Sequence, residues 1–180
     1  MSNEKILVVG IGGIGSYLLH FLLELKNKHI AVVDFDLVEK RNCANQDMYL
    51  ATDVSQAKVD VAAKFARDKF ITDITVYNCK VQDLAQEVLA SFHYIVCCVD
   101  NLETRRYCNY IVHQIFKSSL NRTQVLIDVG SEKYCCHVRV ISPSRLTSCL
   151  ECDLQLFSGP NLVLCGPRQI PYNFFDCLSK

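Results

Sequence analysis

The sequence predicts an α/β fold: a doubly wound, mostly parallel sheet wrapped by helices on both faces. Three observations predict it. Short, strongly apolar runs occur at Ile6 to Val9, Ile30 to Val33 and Tyr94 to Val99, the pattern of strands buried on both faces. Stretches with helical apolar spacing separate them, so strands and helices alternate. The first run leads at once into Gly10-Ile11-Gly12-Gly13-Ile14-Gly15, a glycine-rich turn that opens a helix.

Each element follows from its local pattern. After the first strand and the glycine turn, a helix is expected from Ser16 towards Lys28, and Ile30 to Val33 forms the second strand. Leu37 to Ala51 is polar and irregular, too long for a simple connection. A helix is expected from about Asp53 to Phe70, with Val54, Ala57, Val61, Ala62, Phe65 and Ala66 on one stripe. Asp73 to Asn78 alternates as a strand, a short helix covers Asp83 to Ala90, and the strand Tyr94 to Val99 delivers Asp100 at its end. Glu103 to Phe116 reads as a helix with Tyr107, Ile111, Val112 and Ile115 on a common face, and Val125 to Val129 and His137 to Ile141 read as strands. Gly10, Asp34, Asp100 and Asp128 all fall at expected strand ends, where open α/β sheets bind ligands. Past Pro143 the sequence is broken by Ser158-Gly159-Pro160, Cys165-Gly166-Pro167 and Pro171, which places a boundary near residues 144–147. The division is then a domain over 1–147 and a second segment beginning over 148–180.

Composition bounds the function. The 180 residues are 50% hydrophobic, enough for a sizeable core. Lys+Arg and Asp+Glu each number 19, and no long basic run exists, so charge gives no support for nucleic-acid binding. No window is apolar throughout for the ~18 residues of a membrane span, and the polar start predicts no signal peptide. The 11 cysteines therefore read as thiols in a reducing compartment. Cys43, Cys79, Cys97, Cys98 and Cys108 sit in apolar or periodic surroundings, where a thiol is a small hydrophobe. Cys149, Cys152, Cys165 and Cys177 have a more suggestive arrangement.

The glycine turn points to a nucleotide. Gly10, Gly12 and Gly15 have the G-x-G-x-x-G spacing, which brings bare backbone N–H groups and a helix N-terminus to a phosphate. Asp34 then stands at the end of the second strand, where a carboxylate reaches a ribose hydroxyl. With Asp36 after it, NAD is the first candidate. The residues that follow suit a triphosphate better. Val38 to Gln46 gathers polar side chains beside the ribose position, Lys58 comes early on the next helix, and Val99-Asp100-Asn101 ends a later strand. A lysine neutralises phosphate charge, and a carboxylate pair with water is ordinary Mg2+ ligation. Taken alone, Lys58 reads as an exposed helix lysine and Asp100 equally as a helix N-terminal residue ahead of Glu103.

With these motifs assembled, the chain resembles the ubiquitin-like modifier activating enzymes and the bacterial relatives that adenylate sulfur-carrier proteins. The resemblance covers nearly all of it. Gly10 to Gly15 matches the family's G-x-G-G-x-G, and Asp34-Phe35-Asp36 its D-x-D. Asn42 and Gln46 match the ends of N-L-N-R-Q, and Ser55-Gln56-Ala57-Lys58 the segment carrying a nucleotide lysine. Cys98-Val99-Asp100-Asn101 with Arg105-Arg106 matches the Mg2+ aspartate and its helix. Ile127 to Glu132, Val138 to Ile141 and Cys149-Leu150-Glu151-Cys152 match a further run, most like the catalytic subunit of the heterodimeric neddylation branch, with the SUMO and ubiquitin branches next.

The resemblance implies a Rossmann-like, ThiF-type adenylation domain that uses ATP and Mg2+ to adenylate the C-terminus of a ubiquitin-like protein. It implies that Gly10, Gly12, Gly13 and Gly15 cradle phosphate, that Asp34 holds the ribose with Asp36 beside it, that Asn42 and Lys58 contact the phosphates, and that Gln46 also belongs to the nucleotide site. Asp100, with Asn101 and Arg105 following, is the Mg2+ position. It further implies a partner subunit, a conjugating enzyme as acceptor, and a cytoplasmic or nuclear setting. Asn161-Leu162-Val163-Leu164-Cys165 resembles the catalytic-cysteine stretch, with Pro171 and Cys177 at the family's offsets, although Gly166 replaces the usual threonine. The reading of Cys165 as a loop cysteine stays open beside it. Cys149 and Cys152 match half of a Zn2+ site, and a tetrahedral structural site needs four ligands.

One departure bears on activity: Asn45 occupies the position of the family arginine, four residues after Arg41. Weak or absent ATP activation by this chain alone is expected from it. A non-catalytic, nucleotide-binding partner subunit and a sulfur-carrier adenylyltransferase remain as alternatives. An NAD oxidoreductase would need a hydride-transfer site, and none is readable.

Overall fold

The computed structural model describes residues 4–27, 29–118, 124–132, 135–145 and 147–151. Cys152, Cys165, Pro171 and Cys177 lie outside the described residues. The strands are β1 (Ile6–Val9), β2 (Ile30–Val33), β3 (Thr75–Tyr77), β4 (Tyr94–Cys97), β5 (Val125–Glu132) and β6 (Cys135–Ile141). The helices are α1 (Gly13–Glu24), α2 (Lys40–Asn45), α3 (Lys58–Phe70), α4 (Gln86–Ala90) and α5 (Leu102–Ser118). Single 3-10 turns lie at Ala51–Asp53, Val81–Asp83 and Pro143–Arg145. No described helix is long and apolar enough to cross a membrane.

The sheet order is β3-β2-β1-β4-β5-β6, parallel except for the antiparallel β5–β6 pair. β1 is central and its side chains feed both cores. Leu7 and Val9 pack with Ile95, Ile111, Val112, Ile115 and Leu126 on one face. Val8 packs with Leu19, Leu23, Val59, Ala62 and Phe65 on the other. Burial on both faces is why the parallel strands read as continuous apolar runs. Chain order reverses between β1 and β4, the switch point at which such sheets open a crevice beyond their strand C-termini.

Several elements differ from expectation, among them α2, a short helix inside the stretch from Leu37 to Ala51 that reads as irregular. The helix after the glycine turn begins at Gly13, so the turn is the helix N-terminus itself. The helix expected from Asp53 starts at Lys58, because Ser55 takes a left-handed φ of 71° and residues 55 and 56 hydrogen-bond back to Val38, forming a Leu37–Ala57 bridge. Val54 and Ala57 therefore precede the helix, whose buried stripe keeps Val61, Ala62, Phe65 and Ala66. Asp128 does not end a strand: β5 runs on to Glu132 because β6 pairs with it, leaving Asp128 in mid-strand opposite Arg139. The last 3-10 turn covers Pro143–Arg145. Beyond it, Leu150 is still buried in the main core, and its N–H donates to Asn109 Oδ1 at 3.1 Å.

Candidate functional site

A cavity of about 270 Å3 opens at the C-terminal ends of β1, β2 and β4. Its floor is the glycine turn. Gly10 needs its positive φ of 85°, and its N–H donates to Val33 O at 2.9 Å, which turns the chain sharply off the sheet. Gly12 and Gly13 line the cavity and a Cβ on either would meet nothing within 4 Å, so their backbone faces open space. Gly12 precedes α1 with no side-chain cap, and the first turn carries no acidic residue. Uncapped amides at a helix N-terminus favour an anion. Gly15 is placed differently: a Cβ there would lie 1.9 Å from the Gly10 carbonyl oxygen, so it permits the turn to close and does not line the cavity.

Asp34 joins this turn to the end of β2. Its Oδ2 accepts the Ile11 N–H at 2.7 Å and its Oδ1 the Asp36 N–H at 2.8 Å, with the side chain on the cavity wall. Each carboxylate oxygen can accept more than one hydrogen bond, so capacity for a hydroxyl donor remains. Tyr49, which sequence reasoning passed over, holds the other side of the same peptide unit's residue: its hydroxyl donates to the Ile11 carbonyl at 2.7 Å. Burial, reinforced by the Asp34 and Asp36 carboxylates, pushes this phenol far above its ordinary range and keeps it a donor.

Lys58 corrects the reading of an exposed helix lysine. It is 7% exposed and lines the cavity, with Nζ 2.8 Å from Asp36 Oδ2. The Val38–Gln56 strap and a bond from the Lys58 N–H to the Asp36 carbonyl at 3.0 Å put it there. Across the cavity stand Asp100 and Asn101, whose Oδ1 accepts the Thr104 N–H at 2.8 Å and caps α5. Phe35, Cys79, Lys80 and Gln82 complete the wall, and Lys80 Nζ lies 5.7 Å over the Phe35 ring. The place of 79–82 directly after a strand was the available signal for them. Burial raises the thiol pKa of Cys79 and pushes that of Cys98, also in the wall, up to about 12, so neither is an activated nucleophile.

Besides Gly15, three of the residues assigned by resemblance stand off the wall. Asn42 Oδ1 accepts the Glu39 N–H at 2.8 Å and so holds the start of α2. Gln46 is buried, and its Oε1 has no partner among the described residues. Arg105 pairs with Asp128 and with the Val99 and Val129 carbonyls, and does not face the cavity. Arg41, four residues before Asn45, pairs with Glu39 at 2.6 Å on the surface. Among the described residues no group of three or more His, Cys, Asp or Glu side chains converges as a metal cluster, and Cys149 is the one described member of the C-x-x-C pair.

Sheet order, glycine turn and switch-point cavity define the class, a doubly wound α/β domain of Rossmann-like architecture. The ThiF family model matches residues 1–171, and the chain belongs to the ThiF family. It is 32% identical over 179 residues to the NEDD8-activating enzyme E1 catalytic subunit of Caenorhabditis elegans, covering 95% of this chain and 41% of that protein. It is 30% identical over 175 residues to the Drosophila melanogaster Nedd8-activating enzyme E1 catalytic subunit, covering 93% and 39%. The chain thus spans about two-fifths of the length of these curated relatives. Among solved structures, the fold is similar to Escherichia coli MccB with succinimide (TM-score 0.68, 20% identity, 83% of this chain and 44% of that one). It is also similar to selenomethionine PaaA (TM-score 0.66, 18% identity, 83% and 45%).

Proposed function

We propose that this chain is the nucleotide-binding part of an ATP-dependent enzyme that activates a ubiquitin-like protein, of the NEDD8 type. The observation that carries this reading is Lys58, buried against Asp36 in the wall of a cavity whose floor is bare helix-terminal amide. A triphosphate carries more charge than a dinucleotide's pyrophosphate, and a fixed cation in the wall suits it better.

In this reading one oxygen of the ubiquitin-like protein's C-terminal carboxylate attacks the α-phosphorus of ATP. The new O–P bond forms as the bond from that phosphorus to the bridging oxygen breaks, and pyrophosphate leaves with the electron pair. The protein's work is positioning and charge neutralisation. Gly12 and Gly13 amides hold phosphate oxygens, Asp34 accepts from the ribose, and Lys58 neutralises charge on the phosphates. Gly10 and Gly15 shape the turn, and Asn42 and Gln46 support α2 behind it. Asp36 and Asp100 share the cavity wall, a donor set that fits Mg2+, which takes one or two carboxylates plus phosphates and water. Bound there, Mg2+ would offset the charge of the pyrophosphate. The second step belongs to Cys165: its thiolate attacks the acyl carbon of the adenylate, AMP leaves, and a thioester remains. A partner subunit and a conjugating enzyme as the thioester's acceptor complete the proposal. A Zn2+ at Cys149 and Cys152 would need two ligands from elsewhere.

A second reading, a nucleotide-binding subunit without catalysis of its own, is favoured by Asn45. It is exposed, and its Nδ2 donates to the Arg41 carbonyl at 3.3 Å. The test is a thioester assay with Mg·ATP and a panel of tagged ubiquitin-like proteins, with and without a candidate partner subunit. A reductant-sensitive adduct lost in Cys165→Ala is expected. ATP binding lost in Asp34→Ala, with no adduct under any condition, would establish the second reading instead.

A further inference from the structure

Beside the cavity lies a buried ionic cluster that the reading above leaves without a role. Asp128, on β5, has a side chain 3% exposed and faces three basic side chains. Arg105 Nη1 pairs with its Oδ1, while His137 Nε2 lies 3.2 Å and Arg139 Nη1 3.7 Å from its Oδ2. The cluster depends on Gly130, since a Cβ there would lie 2.3 Å from His137 Cε1 and 3.0 Å from Arg105 Nη2. A carboxylate at this depth is tolerated only when paired and hydrogen-bonded.

Arg105 looks both ways. While Nη1 meets Asp128, Nη2 donates to the Val99 carbonyl and, at 2.9 Å, to the Val129 carbonyl. The Val99 carbonyl belongs to the peptide bond that leads directly into Asp100. Val99, Asp100, Asn101 and Thr104 all line the cavity. A long arginine side chain holds one carbonyl only when its own rotamer is fixed, and a rigid strand carboxylate fixes it through the planar fork.

We propose that Asp128 is a positioning residue for the Mg2+ carboxylate: through Arg105 it sets the Val99 carbonyl and hence where Asp100 stands. The inference rests on the nucleotide-site reading above. A purely structural ion pair would tie β5 to α5 and leave the metal response untouched.

The test uses the full chain and two variants, Asp128→Asn, which keeps the shape and removes the charge, and Arg105→Lys, which keeps the charge and loses the fork. A fluorescent ATP analogue is titrated in chelator and again across a Mg2+ series, and amide hydrogen exchange is followed without ligand. In both variants the affinity in chelator stays within about threefold, while the Mg2+ concentration for half-maximal enhancement rises about tenfold, as for loss of an outer-shell partner. Amides of Asn101 to Arg105 exchange faster and those of β1 and β2 do not. The double variant is no worse than either single one, since the two side chains act as a unit. If Asp128→Asn fails to fold, Arg105→Lys carries the same comparison. Unchanged Mg2+ dependence and unchanged exchange, with wild type binding normally, overturn the proposal. Wild type that binds no nucleotide overturns the site reading and this inference with it.

Discussion

The ammonium of Lys58 lies 2.8 Å from Asp36 Oδ2, and the two members of the pair are unequally buried: 9% of the lysine side chain is exposed against 52% of the aspartate's. The cation is the member held in place. A phosphate entering the cavity meets a lysine already oriented and needs only to share it with a solvated carboxylate. Lys58→Ala is therefore expected to cost little stability, about 1 kcal/mol or less for so exposed a partner. It should weaken ATP binding by about 10- to 100-fold, the worth of a charge-assisted hydrogen bond. Calorimetric titration beside urea unfolding checks both halves. A large stability loss with unchanged affinity would make Lys58 a structural residue.

Gly13 and Gly15 separate binding from folding. A methyl at Gly13 enters open cavity space, whereas one at Gly15 collides with the Gly10 carbonyl oxygen. Gly13→Ala should leave unfolding within about 0.5 kcal/mol of wild type, yet lower nucleotide affinity by crowding the amides. Gly15→Ala should lose about 2–4 kcal/mol because the clash is with backbone that no rotamer relieves. Equal effects of the two on stability would contradict the placement of the turn.

The Tyr49 hydroxyl satisfies a buried carbonyl, so Tyr49→Phe should cost about 1–2 kcal/mol near pH 8. Its pH dependence has a definite sign. Burial raises the folded-state pKa above the unfolded value of about 10, so the unfolded chain alone releases this proton. The phenol's contribution is complete below about pH 10 and is lost as pH rises beyond it, at up to about 1.4 kcal/mol per pH unit. Urea melts at several alkaline pH values should show a shallower decline for Tyr49→Phe than for wild type. Parallel declines would mean that the phenol is not held neutral.

Asn45→Arg supplies the charge that the resemblance implies for this position. Asn45 is exposed, and its side-chain Nδ2 donates to the carbonyl of Arg41 a turn earlier. Stability should be unchanged, and ATP–pyrophosphate exchange should rise about tenfold or more if added positive charge meets the triphosphate. Bound nucleotide with no gain in exchange would speak for the non-catalytic subunit.

The parallel strands and the glycine turn were legible because they are local. A strand buried on both faces needs a continuous apolar run, and the turn needs glycine where φ is positive or backbones cross. Asp34 was legible for the same reason, standing one residue past its strand. What the pattern missed depends on distant approach. Lys58 looks exposed by spacing, and is buried because the Val38–Gln56 strap brings it to Asp36. Asp128 looks like a strand end until β6 extends β5 past it. Asn42 is occupied in capping a short helix, Gln46 is buried just past that helix's end, neither lines the cavity, and no local signal marked Tyr49 as the partner of Ile11.

Ile11 has its N–H held by Asp34 and its C=O held by Tyr49, and its side chain is wholly buried. The two peptide planes on either side of it therefore cannot crank over. Their fixed orientation has a kinetic meaning: the floor of the cavity is set before any ligand arrives. Nucleotide capture should then be a single encounter whose rate is governed by diffusion and ionic strength, with no slow isomerisation of the turn before or after it.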